Sequence, residues 1–197
     1  MLKKNNSLKL IKYYNLINYN LVLNNKAINR YRKENFEISL DKAKRLELLK
    51  KSIINIKNCH LKKQAKNIVF SDGNPKSKIM LIGEAPGANE DQEGLPFVGR
   101  AGTLLDKMLT AINLDRKKVY ISNIINYRPP ENRRPTEEEI KRYLPFVIKH
   151  IDIINPKILV LLGSTAMNAL IGKDIVISRM RGKWIEKKFG NCKTSVI

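Results

Sequence analysis

Short, continuous apolar runs alternate along this chain with segments whose apolar residues recur at helical spacing. The runs are "KIMLIG" (78–83), "KVYISNI" (118–124) and "KILVLLG" (157–163), and each is typical of a buried parallel strand. The helical segments that follow them are "TLLDKMLTAI" (103–112), 133–156 and "STAMNALIG" (164–172). This alternation predicts a three-layer α/β/α fold with a central parallel sheet and right-handed crossovers.

Capping residues predict where two of these helices begin. Thr136 and Glu139 have the spacing of a capping box at the start of the long helix. Thr103 is placed as the N-cap of the helix that follows the first strand. Pro145 lies inside the long helix, where it predicts a kink.

The chain divides into two parts by composition. Residues 1–36 are rich in Asn and Lys, and they predict a poorly ordered N-terminal extension. Residues 37–197 predict one α/β domain, which begins with a helical stretch over 37–66.

Charge points to a polyanionic partner, and DNA is the leading candidate. The formal net charge is +20, and residues 1–66 hold 17 Lys and Arg against 4 Asp and Glu. The alternative is compositional drift, because Lys, Asn, Ile and Tyr are residues of AT-rich codons. No apolar run approaches a membrane span, and two cysteines provide no disulfide framework. A cytoplasmic protein is therefore expected.

The loop "GEAPGANEDQEGLPFVGRAG" (83–102) carries the most unusual composition of the chain. Its glycines allow the backbone to approach a ligand closely. The loop follows the first predicted strand, as 123–136 and 163–165 follow the other two. Ligands of parallel α/β sheets bind beyond the carboxyl ends of the strands, so these loops are the predicted site.

Individual residues of these loops suit the recognition of a nucleotide. Phe97 offers a ring that can stack on a planar base, although a core aromatic is the simpler alternative. Asn123 offers a donor and an acceptor that match a pyrimidine edge, although an Asx turn is also open. The adjacent loop carries arginines that suit phosphates, namely Arg128, Arg133 and Arg134.

Three segments together resemble the motifs of family 4 uracil-DNA glycosylases, the bacterial and archaeal iron–sulfur members of their superfamily. They are "KIMLIGEAPGANEDQEGLPFVGRAGTLLDKML", "VYISNIINYRPPENRRP" and "PKILVLLGSTAMNAL", and the resemblance runs from about Ile56 to the C-terminus. It implies a uracil-DNA glycosylase-like fold and hydrolysis of the N-glycosidic bond of deoxyuridine in DNA. It also implies a role in base excision repair, with uracil turned out of the base stack.

The resemblance also implies a set of site residues. Glu84, Ala85 and Gly87 match the motif that lines the uracil pocket and places the attacking water. Phe97 matches the ring that stacks on uracil, and Asn123 matches the amide that reads its polar edge. Whether Glu84 orients water or balances positive charge on the sugar stays open at this point.

The chain departs from the family at the four positions that hold a 4Fe-4S cluster. The family has cysteine at each of them, whereas this chain has Ile56, Cys59, Tyr127 and Tyr143. One thiolate cannot hold such a cluster, and Cys192 matches no ligand position. The sequence therefore predicts that no cofactor and no metal is bound, and that aromatic rings fill the vacated space.

A second departure concerns the late H-P-S-like motif of the family, whose His contacts uracil. The printed sequence ends at "NCKTSVI", where the strand before that motif would begin, so a truncated domain with an incomplete last strand is expected. His60 and His150 are predicted to be ordinary surface or helix residues.

Three functional hypotheses follow. The first is a monomeric uracil-DNA glycosylase without a cluster, acting on single- or double-stranded DNA. The second is a decayed member that binds DNA or uracil with little or no excision. The third is a general single-strand binder that uses Phe97 and the basic loops. Selective excision of uracil separates the first hypothesis from the other two.

Overall fold

The computed structural model describes residues 41–172 and 176–197. The predicted extension at 1–36 lies outside the described residues. No helix within the described ranges is both long enough and apolar enough to cross a membrane.

A six-stranded mixed sheet forms the middle layer. Its strands are β1 Asp72–Gly73, β2 Ile79–Gly83, β3 Tyr120–Asn123, β4 Ile158–Leu161, β5 Ile185–Phe189 and β6 Cys192–Val196. They occur in the order β1-β3-β2-β4-β6-β5. The four inner strands β3, β2, β4 and β6 are parallel to one another, and the edge strands β1 and β5 are antiparallel to their neighbours. The predicted parallel centre is therefore confirmed.

Seven α-helices occur in the described residues. Their bounds are α1 Lys42–Ile54, α2 His60–Gln64, α3 Ala88–Glu93, α4 Arg100–Ala111, α5 Glu137–Ile154, α6 Ser164–Leu170 and α7 Ile177–Met180. One turn of 3₁₀ helix spans Pro130–Asn132. The helical stretch expected over 37–66 is interrupted, because α1 ends at Ile54 and α2 begins at His60.

Alternate residues of the inner strands face two separate cores. In β2, Met80 and Ile82 belong to a large core that also includes residues of α1, α2, α5 and α6. Leu81 faces the other way, into a smaller core with Leu105 and Leu109 of α4. The period of two along the strand therefore produces the predicted three layers.

The last strand forms more fully than the sequence predicted. β6 pairs with β5 along its whole length, from Phe189↔Cys192 to Ile185↔Val196. Its parallel pairing with β4 is shorter and consists of Ile158↔Ser195 and Leu159↔Val196. The hairpin partner β5, which the sequence pattern did not reveal, supports the strand from its other side.

The helix ends confirm one predicted cap and correct the other. Thr136 caps α5, since its Oγ1 accepts the Glu139 N–H at 3.2 Å and the Glu139 carboxylate accepts the Thr136 N–H at 2.8 Å. Thr103 is not an N-cap. Gly99 takes that position, and its carbonyl already accepts the Thr103 N–H at 3.0 Å. The helix begins one turn earlier because Gly102 lets it pass close to the preceding loop.

Candidate active site

The predicted site residues Phe97 and Asn123 come together at the carboxyl ends of β2 and β3. Gly83 and Asn123 end these strands as register partners. A Cβ atom at Gly83 would lie 2.5 Å from Cζ of Phe97 and 2.6 Å from Oδ1 of Asn123. The ring and the amide therefore converge on the space that a side chain at position 83 would occupy.

Asn123 is firmly fixed at this point. Its side chain is buried, with 4% of the residue exposed. The backbone beyond it is tied to the first loop, because the N–H groups of Ile124 and Ile125 donate to the carbonyls of Gly83 and Glu84 at 2.9 and 3.1 Å. These bonds hold the two loops against each other, as expected for parallel strands that end together.

Glu84 is half-buried and faces the start of α6. Its Oε2 accepts a hydrogen bond from Oγ1 of Thr165 at 2.5 Å. All three predicted site loops therefore meet: 83–102 through Glu84, 123–136 through Asn123 and 163–165 through Thr165. Ala85 lies next to Glu84 and packs on the large core.

A carboxylate that the sequence did not single out closes the glycine-rich loop. Oε2 of Glu90 accepts the Gly87 N–H at 3.1 Å, and Oε1 accepts those of Val98 and Gly99 at 3.0 and 2.8 Å. The backbone N–H of Gly87, a residue that matches the pocket-lining motif of the family, thus donates to Glu90. Glu90 is the third residue of α3, and Gly87 is the N-cap of that helix. An acidic residue three positions after an N-cap indicates a helix start, but the other acidic residues of the loop obscured this signal.

The three predicted phosphate-binding arginines differ in their surroundings. Nε of Arg128 donates to Oδ1 of Asn132 at 2.7 Å. Arg133 forms a bidentate ion pair with Glu139 at 2.7 and 2.9 Å, and this pairing lowers the pKa of the Glu139 carboxyl. Arg134 is exposed.

The four positions that match the family's cluster ligands lie in the large core. Sγ of Cys59 and Oη of Tyr143 are 3.3 Å apart, and Tyr127 and Ile56 belong to the same core. Burial raises the pKa of Tyr127, and the nearby Cys59 raises it by a smaller amount. Burial also raises the pKa of Tyr143. No group of three or more His, Cys, Asp or Glu side chains within the described ranges could hold a metal ion. These residues do not fit an iron–sulfur cluster, which needs four ligands.

Both histidines of the chain lie elsewhere. His150 is buried in α5, where its ring stacks on Phe70 at 4.6 Å and its Nε2 lies 2.8 Å from Oη of Tyr120. Tyr120 begins β3, whereas Asn123 ends it. His60 borders a cavity of about 190 Å³ with Cys59 and Tyr143. His60 is exposed at the start of α2 and His150 lies within α5, so both are helix residues, as the sequence predicted.

The sequence is similar to those of known proteins. A sequence model described as the uracil DNA glycosylase superfamily matches residues 70–196. The chain is 45% identical over 143 residues to a type-4 uracil-DNA glycosylase of Sulfurisphaera tokodaii, covering 70% of this chain and 65% of the relative.

Two further type-4 uracil-DNA glycosylases are covered over more of their length. The relative from Thermotoga maritima is 39% identical, over 72% of this chain and 74% of its own. The relative from Archaeoglobus fulgidus is 38% identical, over 77% and 78% respectively. The chain therefore belongs to the uracil DNA glycosylase superfamily.

Proposed function

We propose that this chain is a uracil-DNA glycosylase of base excision repair. The observation that carries the proposal is the convergence of the Phe97 ring and the Asn123 amide on Gly83, beside the Glu84 carboxylate. In the proposed reaction water adds to C1′ of deoxyuridine and the bond between C1′ and N1 of uracil breaks. Uracil leaves with the bonding electron pair and takes up a proton, so that free uracil and an abasic site are formed.

Two residues are proposed to recognise the base. The Phe97 ring stacks on the face of uracil, a contact that is tolerant of base identity. The Asn123 amide supplies selectivity, because its N–H₂ donates to a uracil carbonyl and its Oδ1 accepts from the adjacent N3–H. Negative charge builds on uracil as the bond breaks, and a preorganised donor such as this amide stabilises the departing anion.

Glu84 is proposed to act on the sugar side of the bond. Its Oε2 is held by Thr165, and its second carboxylate oxygen remains for a water molecule or for the positive charge that develops on the sugar. The hydrogen bond from Thr165 fixes one oxygen in place and thereby limits the directions in which the other can point.

DNA is the proposed partner, and the target base must leave the stack to reach a site at the strand ends. The basic loop between β3 and α5 supplies phosphate contacts through Arg128 and Arg134, with Arg133 partly engaged by Glu139. We also propose a monomer that works in the cytoplasm. Both cysteines are free and buried, which suits a reducing compartment.

We further propose that the protein contains no iron–sulfur cluster. Tyr127 and Tyr143 fill the core around Cys59, and one thiol cannot replace four. Protein purified without oxygen should be colourless and free of stoichiometric iron. A brown protein with about four irons per chain would refute this part of the proposal.

A second candidate function is binding of uracil-containing DNA without turnover. The placement of both histidines away from Phe97 and Asn123 favours it, since the family places a histidine on uracil. Loss of one such donor typically lowers the rate by about 10²–10³. We therefore expect excision to be slow.

One experiment separates the two candidates. The protein is incubated with a labelled single-stranded oligonucleotide that contains one uracil, and both retention of the strand and release of free uracil are measured. Release supports the glycosylase, and retention without release supports the binding protein. A matched thymine strand is the control, and equal retention of both strands would favour a general single-strand binder.

A further inference from the structure

The backbone of Phe97 has a conformation that a bulky residue rarely adopts. Its φ is +57°, in the left-handed region. Such a conformation is strained for a residue with a side chain and persists only where the surroundings enforce it. Neighbouring groups must therefore hold the Phe97 backbone so that its ring lies beside Gly83.

Helix α4 supplies one constraint. A Cβ atom at Gly102 would lie 1.6 Å from the carbonyl oxygen of Phe97 and 2.1 Å from its carbonyl carbon. The helix therefore passes directly against the Phe97 backbone. This contact blocks movement of the carbonyl in one direction, and Glu90 holds the following Val98 N–H from another.

Arg116, which lies between α4 and β3, supplies the central constraint. Its guanidinium donates to the carbonyl of Pro96 at 3.0 Å and to the carbonyl of Phe97. The same group donates to Oδ1 of Asp106 and to Oδ2 of Asp72, each at 2.8 Å. One side chain thereby links the Phe97 loop to α4 and to strand β1.

The two carboxylates keep Arg116 in position. Burial lowers the pKa of the guanidinium, but the hydrogen bonds and charges of Asp106 and Asp72 outweigh this effect, and the pKa is raised. The side chain is 24% exposed, so these contacts are only partly screened by water. A planar group with several donors can serve four acceptors at once, whereas an ammonium group has three donors and no fixed plane.

We propose that Arg116 is a positioning residue that holds the Phe97 ring in the orientation needed to stack on a base. The inference rests on the proposed function, because it assigns stacking on uracil to Phe97. Arg116 itself lies behind the loop and contacts its backbone rather than the ring.

The test compares Arg116→Lys with Arg45→Lys. Arg45 is a suitable control because it is 19% exposed and pairs with one carboxylate, Asp152, at 3.3 Å. Two quantities are measured: the ¹⁹F spectrum of 4-fluorophenylalanine placed at position 97, and the ratio of affinities for a uracil strand and a matched 5,6-dihydrouracil strand. Dihydrouracil keeps the polar edge of uracil but loses the aromatic face that stacks. The spectrum reports the ring directly and needs no activity.

We expect Arg116→Lys to shift or broaden the ¹⁹F resonance and to lower the uracil-to-dihydrouracil affinity ratio roughly tenfold, the scale of one base–aromatic stack. Arg45→Lys should leave both unchanged. A native ratio in Arg116→Lys would overturn the proposal.

If the native protein retains the uracil and thymine strands equally, the proposed function fails, and the ¹⁹F spectrum alone decides whether Arg116 positions the ring. If Arg116→Lys does not fold, Asp106→Asn replaces it, since Asp106 is 48% exposed and orients the same guanidinium. An unchanged resonance in that folded variant would likewise overturn the proposal.

Discussion

Gly83 determines whether Phe97 and Asn123 can meet. Substitution by alanine would place a methyl group within 2.6 Å of both side chains. We expect Gly83→Ala to displace the ring or the amide, to destabilise the protein by about 1–3 kcal/mol and to lower the affinity for a uracil strand. Thermal unfolding and the affinity for the uracil strand measure these effects. Gly99→Ala is the comparison and should cost less, since its Cβ would meet only side-chain atoms at 3.3 Å or more.

His150 should make stability depend on pH. Burial lowers its pKa in the folded protein to about 3, against about 6.5 in an unfolded chain. Protons therefore bind preferentially to the unfolded chain, and the stability present at pH 7 is lost as pH falls from about 6.5 toward about 3. His150→Gln should flatten the dependence of the melting temperature on pH in this window. Equal slopes in native protein and His150→Gln would contradict this account.

The sequence pointed to candidate residues in loops of unusual composition. It did not point to residues whose contacts are with distant parts of the chain. Phe97 and Asn123 follow apolar strands, so their position at the strand ends was predictable. Glu90 was obscured within an acidic loop. Arg116 and Thr165 act through Phe97 and Glu84, and such contacts appear only when the chain is folded.

The helical spacing of apolar residues does not determine which face of α4 is buried. Leu105 and Leu109 pack into the smaller core, yet Leu104, Met108 and Ile112 form a second apolar row at a spacing of four residues. Either row satisfies a helical pattern, so the sequence could not determine which one faces the sheet. The second row is 59–64% exposed.

Replacing this exposed row with Gln should leave the fold intact. We expect the combined change of Leu104, Met108 and Ile112 to alter stability by no more than about 0.5 kcal/mol per position, as is usual for surface sites. Solubility should rise because an apolar patch is removed. The matched control is Leu105→Gln, which places an amide in the core and should unfold or strongly destabilise the protein. A large loss of stability in the triple variant would show that the row is packed.

At the scale of the whole molecule, charge should govern binding to DNA. A protein with a net charge of +20 is expected to bind DNA with a marked salt dependence. Arg128→Gln and Arg134→Gln should each reduce the slope of log affinity against log salt by about 0.7 on single strands. Arg133→Gln should reduce it less, since Glu139 already engages that guanidinium. Titrations at several salt concentrations measure the slopes, and identical slopes in all variants would remove this loop from the interface.

The most direct test of the account is release of free uracil from a single-stranded oligonucleotide, measured for the native protein and for Asn123→Asp. The substitution replaces the amide donor with a carboxylate that only accepts, at a residue that is 4% exposed. We predict slow release by the native protein, none from a thymine strand, and loss of release in Asn123→Asp even when that variant remains folded. Native protein that binds the uracil strand without releasing uracil, or release that survives in Asn123→Asp, would contradict the proposed active site.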